Sequence, residues 1–153
     1  MTYLSPAKIN LFLHITSKRD DGYHNLQTIF QLLDFYDEID FSLRNDGKIN
    51  RTSGNEDILI SDDLMIKSAK KLKQYSGTNF GVDIKIIKKI PTGGGLGGGS
   101  SNAATTLVAL NKLWNLKLTN TELISIGKDI GADVPIFIEG RSSWAEGIGE
   151  ILT

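Results

Sequence analysis

The amino-acid sequence predicts an α+β domain with a mixed, mostly antiparallel sheet packed with helices. Three observations point there. Segments with strand-like alternation come in clusters, and helical stretches with three-and-four apolar spacing separate those clusters. A glycine run joins a β-branched strand to an alanine-rich amphipathic helix. The 153 residues, 40% of them hydrophobic, suffice for one core and are too few for two large domains. A chain of this size buries roughly 70% of the surface that it exposes unfolded, so it needs no covalent staples.

The elements follow in order. From Ile9 to Ile15, the residues Ile9, Leu11, Leu13 and Ile15 alternate with Asn10, Phe12 and His14. That period of two predicts a strand with one apolar face, and it puts Lys8 and Asn10 together on the other. Arg19 to Gly22 reads as a turn. Further strands are predicted at about Leu26 to Leu33 and Glu38 to Leu43, with Asn45-Asp46-Gly47 as a hairpin turn and the polar stretch Thr52 to Asp57 as a loop. Ser61-Asp62-Asp63 opens a helix reaching about Tyr75, with Met65, Ala69 and Leu72 on its apolar stripe and Gly77 as its cap. Its lysines read as a solvated face. Val82 to Ile90 is a strand, and a helix from about Ser100 to Trp114 follows the glycines, with Trp114 in the core. Thr119 and Glu122 have the spacing of a capping box for a helix ending near Gly131. Val134 to Ile138 and Ser143 to Ala145 lean towards strand.

Composition excludes several function classes. Net charge is -1 with both signs interspersed. A nucleic-acid binder needs a surplus of Lys and Arg on one face, so no nucleic-acid partner is expected. With no cysteine, disulfides, thiolate catalysis and thiolate metal sites are excluded. No apolar run reaches the ~20 residues of a membrane span, and Met1 to Lys8 has no signal-peptide pattern. No membrane partner is expected, and the cytoplasm is the simplest location. Nothing in the sequence specifies an oligomeric state. His14 and His24 make a poor metal pair, and no protein metal site is assigned.

The informative segment is Pro91-Thr-Gly-Gly-Gly-Leu-Gly-Gly-Gly-Ser-Ser101, in which six of the seven residues from Gly93 to Gly99 are glycine. Each glycine loses more backbone entropy on ordering than any other residue, so an ordered run has a purpose. Between a strand and a helix, glycines let successive N–H groups turn inward. The helix start adds unpaired donors and roughly half a positive charge. Together they make an anion cradle suited to a polyphosphate. The hydroxyls of Ser100 and Ser101 are placed to cap the helix, touch phosphate or reach a metal ion. The bland alternatives are a floppy linker or a close helix–strand contact. A lysine-dependent phosphate loop does not fit, because no lysine lies between Pro91 and Lys112. A dinucleotide fingerprint matches at Gly93, Gly95 and Gly98, but a helix–helix junction stands where its acidic strand end should be.

The loop Pro91-Thr-Gly-Gly-Gly-Leu-Gly-Gly-Gly-Ser-Ser-Asn-Ala-Ala104 resembles the phosphate loop of the GHMP kinase superfamily. Four more segments agree in order and spacing: Ser5-Pro-Ala-Lys-Ile-Asn-Leu-Phe-Leu13, Asp21-Gly-Tyr-His24, Gly131-Ala-Asp-Val-Pro135 and Ala145-Glu-Gly-Ile-Gly-Glu-Ile-Leu152. In this longer form they resemble the branch that acts on a cytidine-diphosphate-linked methylerythritol in the non-mevalonate isoprenoid pathway.

The resemblance implies a GHMP kinase N-terminal domain over residues 1–153, a fold shared with a ribosomal protein. It implies ATP as phosphate donor, magnesium travelling with it, and a small-molecule alcohol as acceptor. Asp133 would orient or deprotonate the attacking hydroxyl. Lys8 would sit near Asp133 and the transferring phosphate, and Asn10 would help hold substrate. Tyr23 and His24 would receive the cytosine. Pro91, Gly93, Gly94, Gly95, Leu96, Gly97, Gly98, Gly99, Ser100 and Ser101 would hold the phosphates. Lys88 and the neighbourhood of Asp63 would border the adenine, although the family has Asn where this chain has Asp63. From the residues alone, Asp133 reads as a turn aspartate and Lys8 as an ordinary strand lysine. Family members run to nearly twice this length, so a C-terminal domain is expected to be absent here, with weak or no turnover by residues 1–153 alone. Two other readings are another GHMP kinase, acting on homoserine, mevalonate or a sugar, and a non-catalytic nucleotide- or RNA-binding module.

Overall fold

The computed structural model describes residues 1–20, 22, 24–147 and 151–153. In chain order its elements are β1 (Thr2–Lys18), β2 (His24–Arg44), β3 (Ile49–Ser53), α1 (Leu64–Ser76), β4 (Gly81–Ile87), α2 (Gly98–Leu113), α3 (Asn120–Lys128), α4 (Val134–Glu139), β5 (Ser143–Glu146) and β6 (Ile151–Leu152). The strands form one mixed sheet, antiparallel except for the parallel β3–β4 pair. The α+β expectation holds.

β2 is the spine of the sheet. It pairs with β1 over nearly its whole length, with β5 through Thr28 to Phe30, and with β4 through Glu38 to Arg44. The two strands expected at Leu26–Leu33 and Glu38–Leu43 are therefore one. Asp34, Phe35 and Tyr36 interrupt the apolar alternation, but the β1 ladder continues past them, with Pro6 opposite Tyr36 and Ser5 opposite Asp37. The turn at Asn45-Asp46-Gly47 is present, with Gly47 at φ 73°, yet it makes no hairpin. The chain steps over, and β4 lies between β3 and β2. β3 also takes up Thr52 and Ser53, which the sequence assigned to a loop.

The core lies between the sheet and the helices. Ile39, Phe41, Val82, Ile84 and Ile86 face Met65, Ile66, Ala69 and Leu72 of α1 and Ala103, Ala104, Leu107 and Leu110 of α2. Apolar burial at roughly 25 cal/mol per Å² drives this layering. α2 is central and touches β1, β2, α1, α3 and α4. Trp114 closes the core, its indole N–H donating to the Gly81 carbonyl at 3.1 Å. Asp63 caps α1 and Gly77 ends it in the left-handed conformation, while Thr119 and Glu122 form the capping box of α3.

Two further expectations are corrected. Val134 to Ile138 is helix, not strand. Its β-branched and aromatic residues favour strand, but Pro135 suits the first helical turn, Gly140 ends the helix at φ 69°, and the residues bury against α2 and α3. The alternating face of the first strand is not buried: Leu11, Leu13 and Ile15 are 57%, 53% and 59% exposed. They belong to the outer part of the β1–β2 pair, where residues 11–18 are all exposed and, among the described residues, no layer of the fold covers them.

Candidate functional site

The glycine run lies between β4 and α2 and is shaped by residues on both sides. Gly97 is the N-cap of α2 at φ 70°, and Gly98 and Gly99 already belong to the helix. A Cβ on Gly97 would stand 2.9 Å from the Phe137 ring, so both conformation and space demand glycine there. Gly93 and Gly95 are also left-handed, at φ 80° and 72°, with open space around them. The Leu96 carbonyl accepts the Lys8 backbone N–H at 2.9 Å, which ties the loop to β1. No side chain caps α2, and Gly98, Gly99 and Ser100 of its first turn line an open cavity.

That cavity has a volume of about 360 Å³, within the usual range of small-molecule sites. It is lined by every residue from Pro91 to Ser100 and by Lys8, Lys88 and Asp133. Asn55, Ile58, Leu64 and Asn102 complete the wall.

Lys8 stands beside the glycine loop. Its Nζ donates to Asn10 Oδ1 at 2.6 Å, lies 3.4 Å from Asp133 Oδ2, and sits 5.1 Å from the centre of the Phe30 ring. Its side chain is only 7% exposed, against 32% for Asp133. Asp133 precedes α4 but makes no side-chain cap bond, so its carboxylate is not spent on the helix. Asn10 donates in turn to Thr28 Oγ1 at 2.8 Å, and Thr28 donates to the Phe12 carbonyl at 2.5 Å. The result is a chain of bonds that fixes the lysine by its neighbours and leaves the aspartate facing the cavity.

Lys88 lines the cavity with its ammonium held by Asp37, at 2.5 Å. Asp37 is fully buried and also accepts the backbone N–H groups of Lys89 and Ile90, at 2.7 and 2.9 Å. These amides lie just beyond the end of the β4 ladder at Ile87. One carboxylate thus replaces strand pairing and sets where the chain leaves for the glycine loop.

Other expected site residues are placed differently. Ser101 is fully buried and its hydroxyl accepts from Ser5 at 2.8 Å, whereas Ser100 lines the cavity. Asp63 is buried, caps α1 and is paired to Arg51, so its carboxylate does not face the cavity as a free group. His24 is exposed at the tip of the β1–β2 arm, away from the cavity lining. Tyr23, Asp21 and residues 148–150 of the quoted segments lie outside the described residues. Among the described residues, no cluster of three or more His, Asp or Glu side chains is arranged to hold a metal, and no helix is long and apolar enough to cross a membrane.

Sequence reasoning missed Asp37, Thr28, Arg51, Asn55 and Ile58. Asp37 left a signal, since it shares the parity of buried Ile39 and Phe41 and so falls on the inner face of its strand. The others are brought to the site by long-range folding and left no local trace.

Comparison with known proteins agrees with this architecture. The family described as GHMP kinases N terminal domain matches residues 63–141. A protein of Ruthia magnifica subsp. Calyptogena magnifica named 4-diphosphocytidyl-2-C-methyl-D-erythritol kinase is 64% identical over 152 residues, which is 99% of this chain and 53% of that protein. One of the same name from Burkholderia mallei (strain SAVP1) is 54% identical over 97% of this chain and 51% of its own length. The chain therefore spans about half the length of these relatives. The crystal structure of a 4-(cytidine 5'-diphospho)-2C-methyl-D-erythritol kinase superposes with a TM-score of 0.87 at 35% identity, over all of this chain and 54% of that one. The Methanococcus jannaschii mevalonate kinase superposes at 0.66 with 18% identity, over all of this chain and 55% of that one, which shows a shared fold. With the family match extending over more than half of its residues, the chain belongs to the GHMP kinases, as their N-terminal domain.

Proposed function

We propose that this chain is the ATP-binding half of a kinase that moves the γ-phosphate of ATP to a hydroxyl of a cytidine-diphosphate-linked methylerythritol. The observation that carries the reading is the Lys8–Asp133 pair, 3.4 Å apart, at the mouth of a glycine cradle with uncapped helix amides. Phosphoryl transfer consists mostly of positioning and charge stabilisation. The amides of Gly93 to Gly99 and the start of α2 would hold the phosphates. Lys8 would neutralise charge developing on the transferring group. Asp133 would orient the attacking hydroxyl and take its proton. Asn10 would hold Lys8 and the acceptor in register. Ser100 would add a hydroxyl at the phosphates, and Lys88 would border the nucleotide.

The choice of acceptor is supported by the names of the relatives, which at 54–64% identity are kinases of that diphosphocytidyl methylerythritol. Tyr23 and His24 on the β1–β2 connection are the residues proposed to meet its cytosine. Magnesium normally accompanies ATP, held by phosphate oxygens and one or two protein oxygens. Ser100 and Asp133 are oxygen donors at the right end of the cavity and fit that need. When bound, the ion would neutralise phosphate charge. A cytoplasmic location, the absence of nucleic-acid and membrane partners, and weak turnover by residues 1–153 alone belong to the same proposal.

The test is to extend the chain to the length of its relatives and supply ATP with the cytidine-linked alcohol, mevalonate or homoserine. Phosphorylation of the first alone is expected. Preferential phosphorylation of mevalonate or homoserine would overturn the acceptor assignment, and no ATP consumption with any of them would overturn the kinase reading.

A further inference from the structure

The nucleotide reading leaves a buried ion pair behind the cavity wall without a role. Arg51, on β3, is 8% exposed and Asp63, before α1, is 1% exposed. Arg51 Nη1 donates to Asp63 Oδ2 at 2.6 Å, and its Nη2 donates to the Ile58 carbonyl at 2.9 Å. Asn55 Nδ2 also donates to Asp63 Oδ2, at 3.3 Å. The other oxygen, Oδ1, accepts the N–H groups of Met65 and Ile66 at 2.8 and 3.4 Å. Each oxygen of this carboxylate accepts two hydrogen bonds from within the protein, so it has little left to offer a ligand.

What the pair holds is the segment between β3 and α1. That segment leaves the sheet at Gly54, where φ is 83° and a Cβ would stand 2.0 Å from the Ile86 carbonyl oxygen. Asn55 follows, itself left-handed at φ 63°. Asn visits that conformation more readily than other non-glycine residues, and it stays there where its surroundings fix it. Asn55 and Ile58 then line the cavity together with Leu64. An amide and two aliphatic side chains on one wall suit a flat heterocycle, with apolar contact for a face and one polar group for an edge.

We propose that Arg51 is a positioning residue for the base of the nucleotide. By gripping Asp63 and the Ile58 carbonyl together, its forked guanidinium fixes the Asn55–Ile58 wall, which encloses the base half of the cavity. This rests on the nucleotide reading above.

The experiment compares two ligands on this chain by calorimetric titration: a non-hydrolysable ATP analogue, and inorganic tripolyphosphate, which has no base. Arg51→Met is expected to weaken the ATP analogue at least tenfold and leave tripolyphosphate within twofold. Arg51→Lys, which can reach one partner but not both, should recover only part of the loss. Asp63→Asn, which keeps the cap, should weaken the analogue at least threefold with the same indifference to tripolyphosphate, and it serves should Arg51→Met fail to fold. Parallel losses for both ligands, or no loss for the analogue, would overturn the proposal. Equal affinity of the unmodified chain for the two ligands would overturn it while leaving the phosphate cradle intact. An unmodified chain that binds neither would overturn the nucleotide reading itself.

Discussion

Lys8 Nζ lies 3.4 Å from Asp133 Oδ2, joining the first strand to the residue that opens α4 at the rim of the glycine cradle. Neither residue is needed to hold the other's backbone in place. Lys8 is fixed by Asn10 and by the Leu96 carbonyl, and Asp133 makes no cap bond. Under the proposed function, their proximity serves the reaction more than the fold.

Asp133→Asn in the chain extended to its relatives' length should lower kcat by roughly 10²–10⁴ while changing the KM for ATP little. Lys8→Met should lower kcat comparably. Steady-state kinetics with ATP varied checks both, and a loss confined to KM would count against the assigned roles.

Asp37 supports the site from beneath. Replacing it with Ala removes the acceptor of two amides and the partner of the Lys88 ammonium, which itself faces the cavity. Leaving the two N–H groups unpaired costs about 2–5 kcal/mol. Asp37→Asn keeps an acceptor for the amides and should cost less, about 1–3 kcal/mol. Urea unfolding of the two variants measures the difference; equal, small losses would show that the carboxylate is not what fixes Lys88 to Ile90.

Much of this arrangement could be read in the sequence, and the reason is locality. The glycine run, the capping box at Thr119 and Glu122, and the left-handed end at Gly77 each depend on a few neighbouring residues. What could not be read depends on distant ones. The unbroken β2 is held through Tyr36 and Asp37 by β1, the helical form of Val134 to Ile138 by packing against α2 and α3, and the parallel β3–β4 pair by a crossover that no turn residue announces. Lys8 and Asp133 were legible only through resemblance, since each alone is unremarkable in its segment. Arg51 could not be found at all, because its partners Ile58 and Asp63 meet it only in the folded chain.

Ser68 is fully buried in α1, and its hydroxyl has no hydrogen-bond partner among the described residues. Ser68→Ala removes an unpaired polar atom and improves helix propensity. Stability should rise by about 1 kcal/mol, read as a higher urea midpoint at unchanged slope. A loss of more than that would mean the hydroxyl is paired.

Acid should weaken the fold through carboxylates outside the site. Arg44 holds the Asp46 carboxyl well below its usual range, helped by the Lys48 N–H. Asn50, then Arg44, lowers Asp83. The backbone N–H and hydroxyl of Thr119 lower Glu122. Each group protonates less readily folded than unfolded, so the stability it adds is complete above about pH 4–4.5 and is lost as pH falls through the lowered values. Urea midpoints should fall from pH 5 to pH 3, less so in Asp46→Asn. Stability that rises on acidification would contradict the assigned direction.

The account turns on whether the glycine cradle binds the phosphates of ATP independently of the catalytic carboxylate. Titration of this chain with a non-hydrolysable ATP analogue, repeated for Gly97→Ala and Asp133→Ala, addresses that claim directly. Gly97→Ala, forced against Phe137 at an unfavourable φ, should weaken binding more than tenfold in a variant that still unfolds cooperatively, while Asp133→Ala keeps most of the affinity. Equal losses in the two variants, or full affinity in Gly97→Ala, would contradict it.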